Sequence, residues 1–194
     1  MYRDIWTWEK CSSKINTLRG RLGFGDSLSL RFLELTLSLE TGQLHDEIRK
    51  KPYPEVEPSV YCILSRYAES EPVPETHRLI SYSQLSGGES YNKAFIRRAV
   101  QPIEKTFRTD AQQLWEAAKL LYSERLSLGD CSVKTRALPL VPIVIILYGA
   151  TSEFPASANM LFDSSASNYL STEQLAMLGE LTSARLRHAV EAIT

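Results

Sequence analysis

The side chains able to do chemistry in this 194-residue chain are few and scattered. His45, His77 and His188 are joined by no HxxxH or HExxH spacing, so they make no helical zinc-ligand pair and read as surface histidines. Cys11, Cys62 and Cys131 are far apart and odd in number, without a CxxC or a four-thiolate run. We therefore expect no metal site and no iron–sulfur cluster built by this chain alone. Ser164, Ser165 and Ser167 lack the GxSxG elbow of a serine nucleophile. Gly87 and Gly88 in the Ser-Gly-Gly stretch could offer backbone amides to an anion, but the Lys-Ser/Thr ending of a phosphate loop is missing and a plain turn is the simpler reading. No residue is assigned as catalytic.

Glu153 and Asp163 are the only carboxylates between Asp130 and Glu173. If the apolar runs on either side of Glu153 are antiparallel strands, the two carboxylates lie at opposite ends of the second strand, too far apart to share acid–base work. Glu153, before Phe154 and Pro155, falls on a loop held by a core strand, where binding groups usually sit. Asp163 precedes Ser164 and Ser165 at a strand-to-helix corner, a capping context. Tyr91, Tyr148, Phe154 and Tyr169 stand at predicted element ends and, with Glu153, form the candidate ligand-binding set. Gly87, Gly88, Gly129, Asp130, Pro155 and Asp163 are read as structural positions that shape turns.

Those residues must be positioned by one domain of ordinary composition, with 43% hydrophobic and 23% charged residues. A net charge of −1 draws it to neither nucleic acid nor anionic lipid. The clusters Arg49–Lys50–Lys51 and Arg97–Arg98 read as solvated faces. The longest apolar run, 141–148, is far shorter than the roughly 20 residues that span a bilayer. The charged, tryptophan-bearing start MYRDIWTWEK is unlike a secretory leader, and sparse cysteines suit a reducing compartment, so a cytoplasmic location is expected.

The apolar spacing predicts the elements. A helix over 1–22 is broken by Gly20, Gly23 and Gly25, with one of Trp6 and Trp8 in the core and the other at its rim. Alternation over 27–39, slipping phase at Leu33 and Glu34, predicts a strand bulged there and a β-meander continuing to His45. Three prolines make 51–58 an extended linker to a helix over 57–68, with Cys62 as a small buried hydrophobe. A short strand over 79–82 leads to a helix over 89–107, kinked by Pro102 near Ala99. A helix over 109–126 follows, with a capping box at Thr109 or Asp110. Then come strands over 131–137, 141–148 and 158–162. The last helix starts with a Ser171/Gln174 capping box and a Leu170/Leu175 staple. The fold class is α+β: one domain with a mixed or antiparallel sheet packed by amphipathic helices, organised around the apolar block 138–170. It divides into an N-terminal helix and meander (1–50), a linker and helix (51–78) and a core (79–194).

Two stretches carry a resemblance: LISYSQLSGGESYNKAFIRRAVQPIEKTF (79–107) and the segment 129–181, with Tyr148-Gly149, Glu153-Phe154-Pro155, Leu161-Phe162-Asp163 and Tyr169-Leu170. They resemble the DUF3786 family of prokaryotic proteins of unknown function. The match departs from the family pattern at Tyr148, where tryptophan is usual, and at Thr151 and Ser152, where acidic residues are usual. Some relatives are fused to a four-cysteine module of the corrinoid iron–sulfur protein type, which this chain lacks. The resemblance implies an association with corrinoid or one-carbon metabolism. On that basis we expect a non-catalytic binding or accessory protein that takes a corrinoid or another tetrapyrrole, or meets a corrinoid-dependent protein. The competing expectations are a protein–protein adaptor and a hydrolase or transferase using Glu153 or Asp163.

Overall fold

The computed structural model describes residues 5–193, and the predicted helical residues 1–4 lie outside them. Helix α1 (Trp8–Ile15) is shorter than expected and runs into a 3-10 turn, Asn16–Leu18. Strands β1 (Ser29–Phe32), β2 (Leu35–Ser38), β3 (Leu44–Asp46) and β4 (Lys51–Pro52) form an antiparallel meander. After a 3-10 turn at Pro54–Val56 comes α2 (Glu57–Tyr67). Strand β5 (Leu79–Ser81) precedes α3 (Gly88–Phe95), a π turn (Ile96–Val100), α4 (Gln101–Phe107) and α5 (Gln112–Leu120). Strands β6 (Glu124–Leu126), β7 (Cys131–Leu138), β8 (Val141–Tyr148) and β9 (Ser157–Asp163) complete a second antiparallel sheet in the order β5-β9-β8-β7-β6. The chain ends in α6 (Ala166–Tyr169) and the long α7 (Thr172–Ile193).

Strand β8 is the middle strand of the larger sheet and is buried along all but its last residue, as continuous apolarity without charge requires. Beside the block 138–170, α7 is a second hub of the molecule. It packs against α2, α3, the π turn, α4 and α5. It is buried on most of its circumference, from Leu175 to Val190. Ser171 and Gln174 start it with the expected reciprocal capping bonds: the Ser171 amide donates to Gln174 Oε1 (3.0 Å) and the Gln174 amide to Ser171 Oγ (3.4 Å). Gly179 is demanded by proximity, because a Cβ there would lie 2.7 Å from the Phe95 ring.

Five sequence expectations are corrected. The phase slip at Leu33 and Glu34 is a two-residue hairpin turn, not a bulge: both have positive φ (50° and 53°), and Phe32 pairs with Leu35. Residues 51–52 are not free linker but pair with Asp46 and His45. The helix expected to reach residue 126 stops at Leu120, and 124–126 pairs with β7 as an edge strand. Asp110 begins that helix by accepting the Gln112 amide at 2.9 Å, an Asx-type turn rather than a capping box. Trp6 and Trp8 are both half-buried against the core, without the core-and-rim split. The proline break is where sequence places it. Pro102 has no amide for the Arg98 carbonyl, and the chain passes through a π turn in which the Gln101 amide reaches back to Ile96 O.

The meander is fastened to α7 by a buried ion pair. Arg185 and Asp46 are both fully buried. Arg185 Nη1 and Nη2 donate to the two oxygens of Asp46 at 2.6 and 2.8 Å. Its Nε donates to Leu33 O (2.9 Å) and Nη2 also to Glu34 O (3.0 Å). The guanidinium therefore caps both carbonyls of the strained hairpin turn. Asp46 additionally accepts the amides of Ile48 and Arg49 and the Nε of Arg49. Arg49, expected on a solvated face, lies 4.2 Å over the Tyr53 ring. His188, expected at the surface, is half-buried, and its Nδ1 sits 3.3 Å from Arg185 Nη1. That contact needs a neutral imidazole accepting through Nδ1, in keeping with a pKa pushed down by burial and by Arg49 and Arg185.

Removing the cation should unfasten the meander. Arg185→Ala should destabilise the protein by about 3–5 kcal/mol, the usual cost of orphaning a buried charge, as read by chemical denaturation. Acid should act in two stages. The folded state lowers the His188 pKa below its ordinary 6.5, so its contribution is complete above that pH and fades as pH falls. Asp46 and Asp163 are held far below the ordinary 3.8, because hydrogen bonds outweigh burial. Their contributions are full above about pH 4 and are lost below it. Melting temperature measured against pH should decline below about 6.5 and fall more steeply below about 4.

Candidate functional site

The best-formed concavity, about 490 Å³, lies where α3 and the π turn meet α7. Its floor is Tyr82, Ala176 and Met177, and its rim carries Tyr91, Arg98, Glu173 and Glu180. Each position has a local cause. Tyr82 stacks on Phe95, with centroids 4.2 Å apart and planes 14° from parallel, and donates to Thr172 O at 3.2 Å. Gly88 starts α3 so close to this ring's backbone that a Cβ would lie 2.0 Å from Tyr82 O. Gly87 before it has φ +73°, so both glycines are required by the turn. Thr172 Oγ1 donates to Ser86 O at 2.7 Å and ties the mouth of the cleft to the start of α7.

The π turn presents Arg98 at the rim. Its Nη1 donates to Tyr91 Oη at 2.8 Å and lies 3.9 Å from Glu180 Oε1. Arg98 stands 6.0 Å from the Tyr91 ring centroid, within cation–π range. Burial raises the Glu180 pKa against the opposing pull of Arg98. Burial also raises the Tyr82 pKa, reinforced by Tyr91, Glu173 and Glu180. The site thus offers one cation, two carboxylates and two phenols around an apolar floor. It can orient a ligand with an apolar body and an anionic or amide-bearing edge.

The candidate ligand set falls in three places. Tyr91 is on this rim. Tyr148, Glu153 and Phe154 sit at one end of the larger sheet, where Phe154 is 68% and Tyr148 45% exposed. There Gly129 packs under Tyr148, with its Cβ position 3.4 Å from Tyr148 Cε1, and Asp130 Oδ2 accepts the Gly149 amide at 2.8 Å. Pro155 follows Phe154 on the same exposed loop. Tyr169 is fully buried; its hydroxyl donates to Val73 O (2.7 Å) and accepts the Val73 amide (2.8 Å). Asp163 is a structural anchor, buried, with Oδ1 accepting from the amides and hydroxyls of both Thr76 and Ser165 at 2.6–3.0 Å. The cysteines are all buried, and no His, Cys, Asp and Glu grouping among the described residues could hold a metal ion.

Sequence reasoning missed Tyr82, Arg98, Glu173 and Glu180. Arg98 was legible only as half of a basic pair. Its seven-residue spacing from Tyr91, two turns along one helical face, was the available signal.

Glu153 and Asp163 should therefore behave differently. Asp163→Ala strips the buried Ser165 amide and hydroxyl, and the exposed Thr76 amide, of their shared acceptor and should cost more than about 2 kcal/mol, beyond the usual ~0.5–2 kcal/mol of a lost helix cap. Glu153→Gln alters an exposed side chain and should stay within about 0.5 kcal/mol of the parent. Urea denaturation of both variants reads the difference.

Among the described residues, no helix is long and apolar enough to cross a membrane. No curated protein and no solved structure matches the chain. The family model for a domain of unknown function, DUF3786, matches residues 16–185. The match spans both sheets, the cleft and the Arg185–Asp46 pair, and the chain belongs to the DUF3786 family.

Proposed function

We propose that this chain is a non-catalytic binding or accessory protein, with its ligand seated in the cleft between α3, the π turn and α7. The observation that carries this reading is Arg98, held by Tyr91 and Glu180 over an apolar floor at the rim of a 490 Å³ concavity. That volume is within the range of small-ligand sites. A corrinoid or other tetrapyrrole is the ligand class suggested by the family resemblance. The cleft is too small to enclose such a ring, and no histidine or cysteine lines it among the described residues. It suits one ring edge, with Arg98 pairing a peripheral carboxylate or amide and Tyr82 and Met177 beneath the macrocycle. The protein would supply no axial ligand.

A hydrolase or transferase is the weaker reading. Asp163 is committed to Thr76 and Ser165, and Glu153 stands on an exposed loop outside the cleft. An adaptor role has one observation in its favour: Leu128, Tyr148 and Phe154 are exposed apolar side chains near one end of the sheet.

Titration with cobinamide, cobalamin and haem, followed by visible spectra and melting temperature, tests the proposal. We expect saturable binding of at least one, with a raised melting temperature and no spectral sign of a protein axial ligand. Arg98→Ala should weaken binding about tenfold or more, the worth of one charge-assisted hydrogen bond. No binding of any of the three contradicts the tetrapyrrole assignment, and binding unaffected by Arg98→Ala places the site elsewhere.

A further inference from the structure

A second concavity, about 370 Å³, opens where α1 meets the β2–β3 turn and the start of α2. Its walls are aromatic and proline-rich. Trp8 lies against the backbone of Gly42, where a Cβ would be 2.3 Å from Trp8 Cγ, and Gly42 adopts φ +77°. Trp8 also meets Tyr61, with centroids 5.8 Å apart and planes inclined at 49°. Tyr61 is fixed in turn by donating to Gly42 O at 2.6 Å. Trp6 and Pro58 complete the apolar lining.

The charge of this groove has one sign. Glu9 and Glu57 line it, and among the described residues no lysine, arginine or histidine does. One Glu57 oxygen is occupied by the Leu44 amide at 3.1 Å, while Glu9 is exposed in the first turn of α1 and bonded to the Thr7 side chain. Ring faces carry negative quadrupole potential, so two indoles and a phenol beside two carboxylates attract a large, weakly hydrated cation. A small inorganic cation would prefer a cluster of oxygen ligands, which the groove does not offer.

We propose that this groove is a binding site, separate from the α3–α7 cleft, for an organic cation: an alkylated ammonium or a guanidinium head. Trp6 and Trp8 supply the aromatic faces, and Glu9 and Glu57 the compensating charge. The cation can arrive as a free small molecule or as a side chain on another protein.

Calorimetric titration of the full chain with choline and with N-acetylarginine amide tests this, with 3,3-dimethylbutanol as the uncharged shape-match of choline. At least one cation should bind saturably and about tenfold or more tightly than the alcohol. Tighter choline identifies an alkylated ammonium head, tighter arginine amide a guanidinium head, and N-acetyl-trimethyllysine amide binding more tightly than choline identifies a protein side chain as the source. Glu9→Gln removes an exposed charge at the first turn of α1 and should weaken binding at least about threefold, with the melting temperature lowered by no more than a few degrees. Trp6→Leu should weaken it similarly, while Arg98→Ala in the other cleft leaves it intact. Equal affinity for the alcohol, no binding of either cation, or full affinity in both groove variants would overturn the proposal.

Discussion

The structure depends on one buried cation placed where the chain could not otherwise close. Arg185 lies 139 residues from Asp46 and joins the last helix to the N-terminal meander. Burying a guanidinium is expensive unless its donors are matched, and here they reach the Asp46 carboxylate, two carbonyls and the His188 ring. The carbonyls belong to Leu33 and Glu34, both at positive φ. Such a turn usually takes Asn-Gly. The same guanidinium that neutralises Asp46 also holds the turn in its strained conformation.

This placement makes α7 the wall shared by the buried ion pair and the α3–α7 cleft. One end carries the Arg185 network, and the other supplies Thr172, Glu173 and Glu180 to the cleft. Gly179, between them, lets Phe95 approach closely, and Phe95 carries the stacked Tyr82 of the cleft floor. The cleft is therefore framed by rigid packed elements, and only its rim is polar. Arg98 stands at that rim on the π turn just before Pro102.

Local pattern was enough to read much of this architecture. Uninterrupted apolarity identified β8, the Ser171/Gln174 pair identified the start of α7, and Pro102 identified the break after α3. The hairpin at Leu33 and Glu34 was misread because its residues are poor formers of the turn they make. Only a partner on α7 makes it tolerable. Arg185 carried no local signal, since an arginine on an amphipathic helix is normally solvated. The site was legible in the same measure. Gly87, Gly88 and Tyr91 follow from turn and helix spacing. Arg98 and Glu180 come together only through the packing of α3 on α7. Tyr169 carries a family motif and sits at an element end, yet its hydroxyl is spent on the backbone of Val73.

If the Arg185–Asp46 pair makes the meander and the helical core one cooperative unit, the two must open together. Native-state amide hydrogen exchange across low denaturant measures this directly. The account predicts that the slowest amides of β2, at Leu35 and Leu37, and those of α7 around Leu178 and Leu186 exchange with the same opening free energy and the same denaturant dependence. A meander that opens several kcal/mol below α7, with a shallower denaturant dependence, would contradict it and make the N-terminal sheet an independently fraying unit.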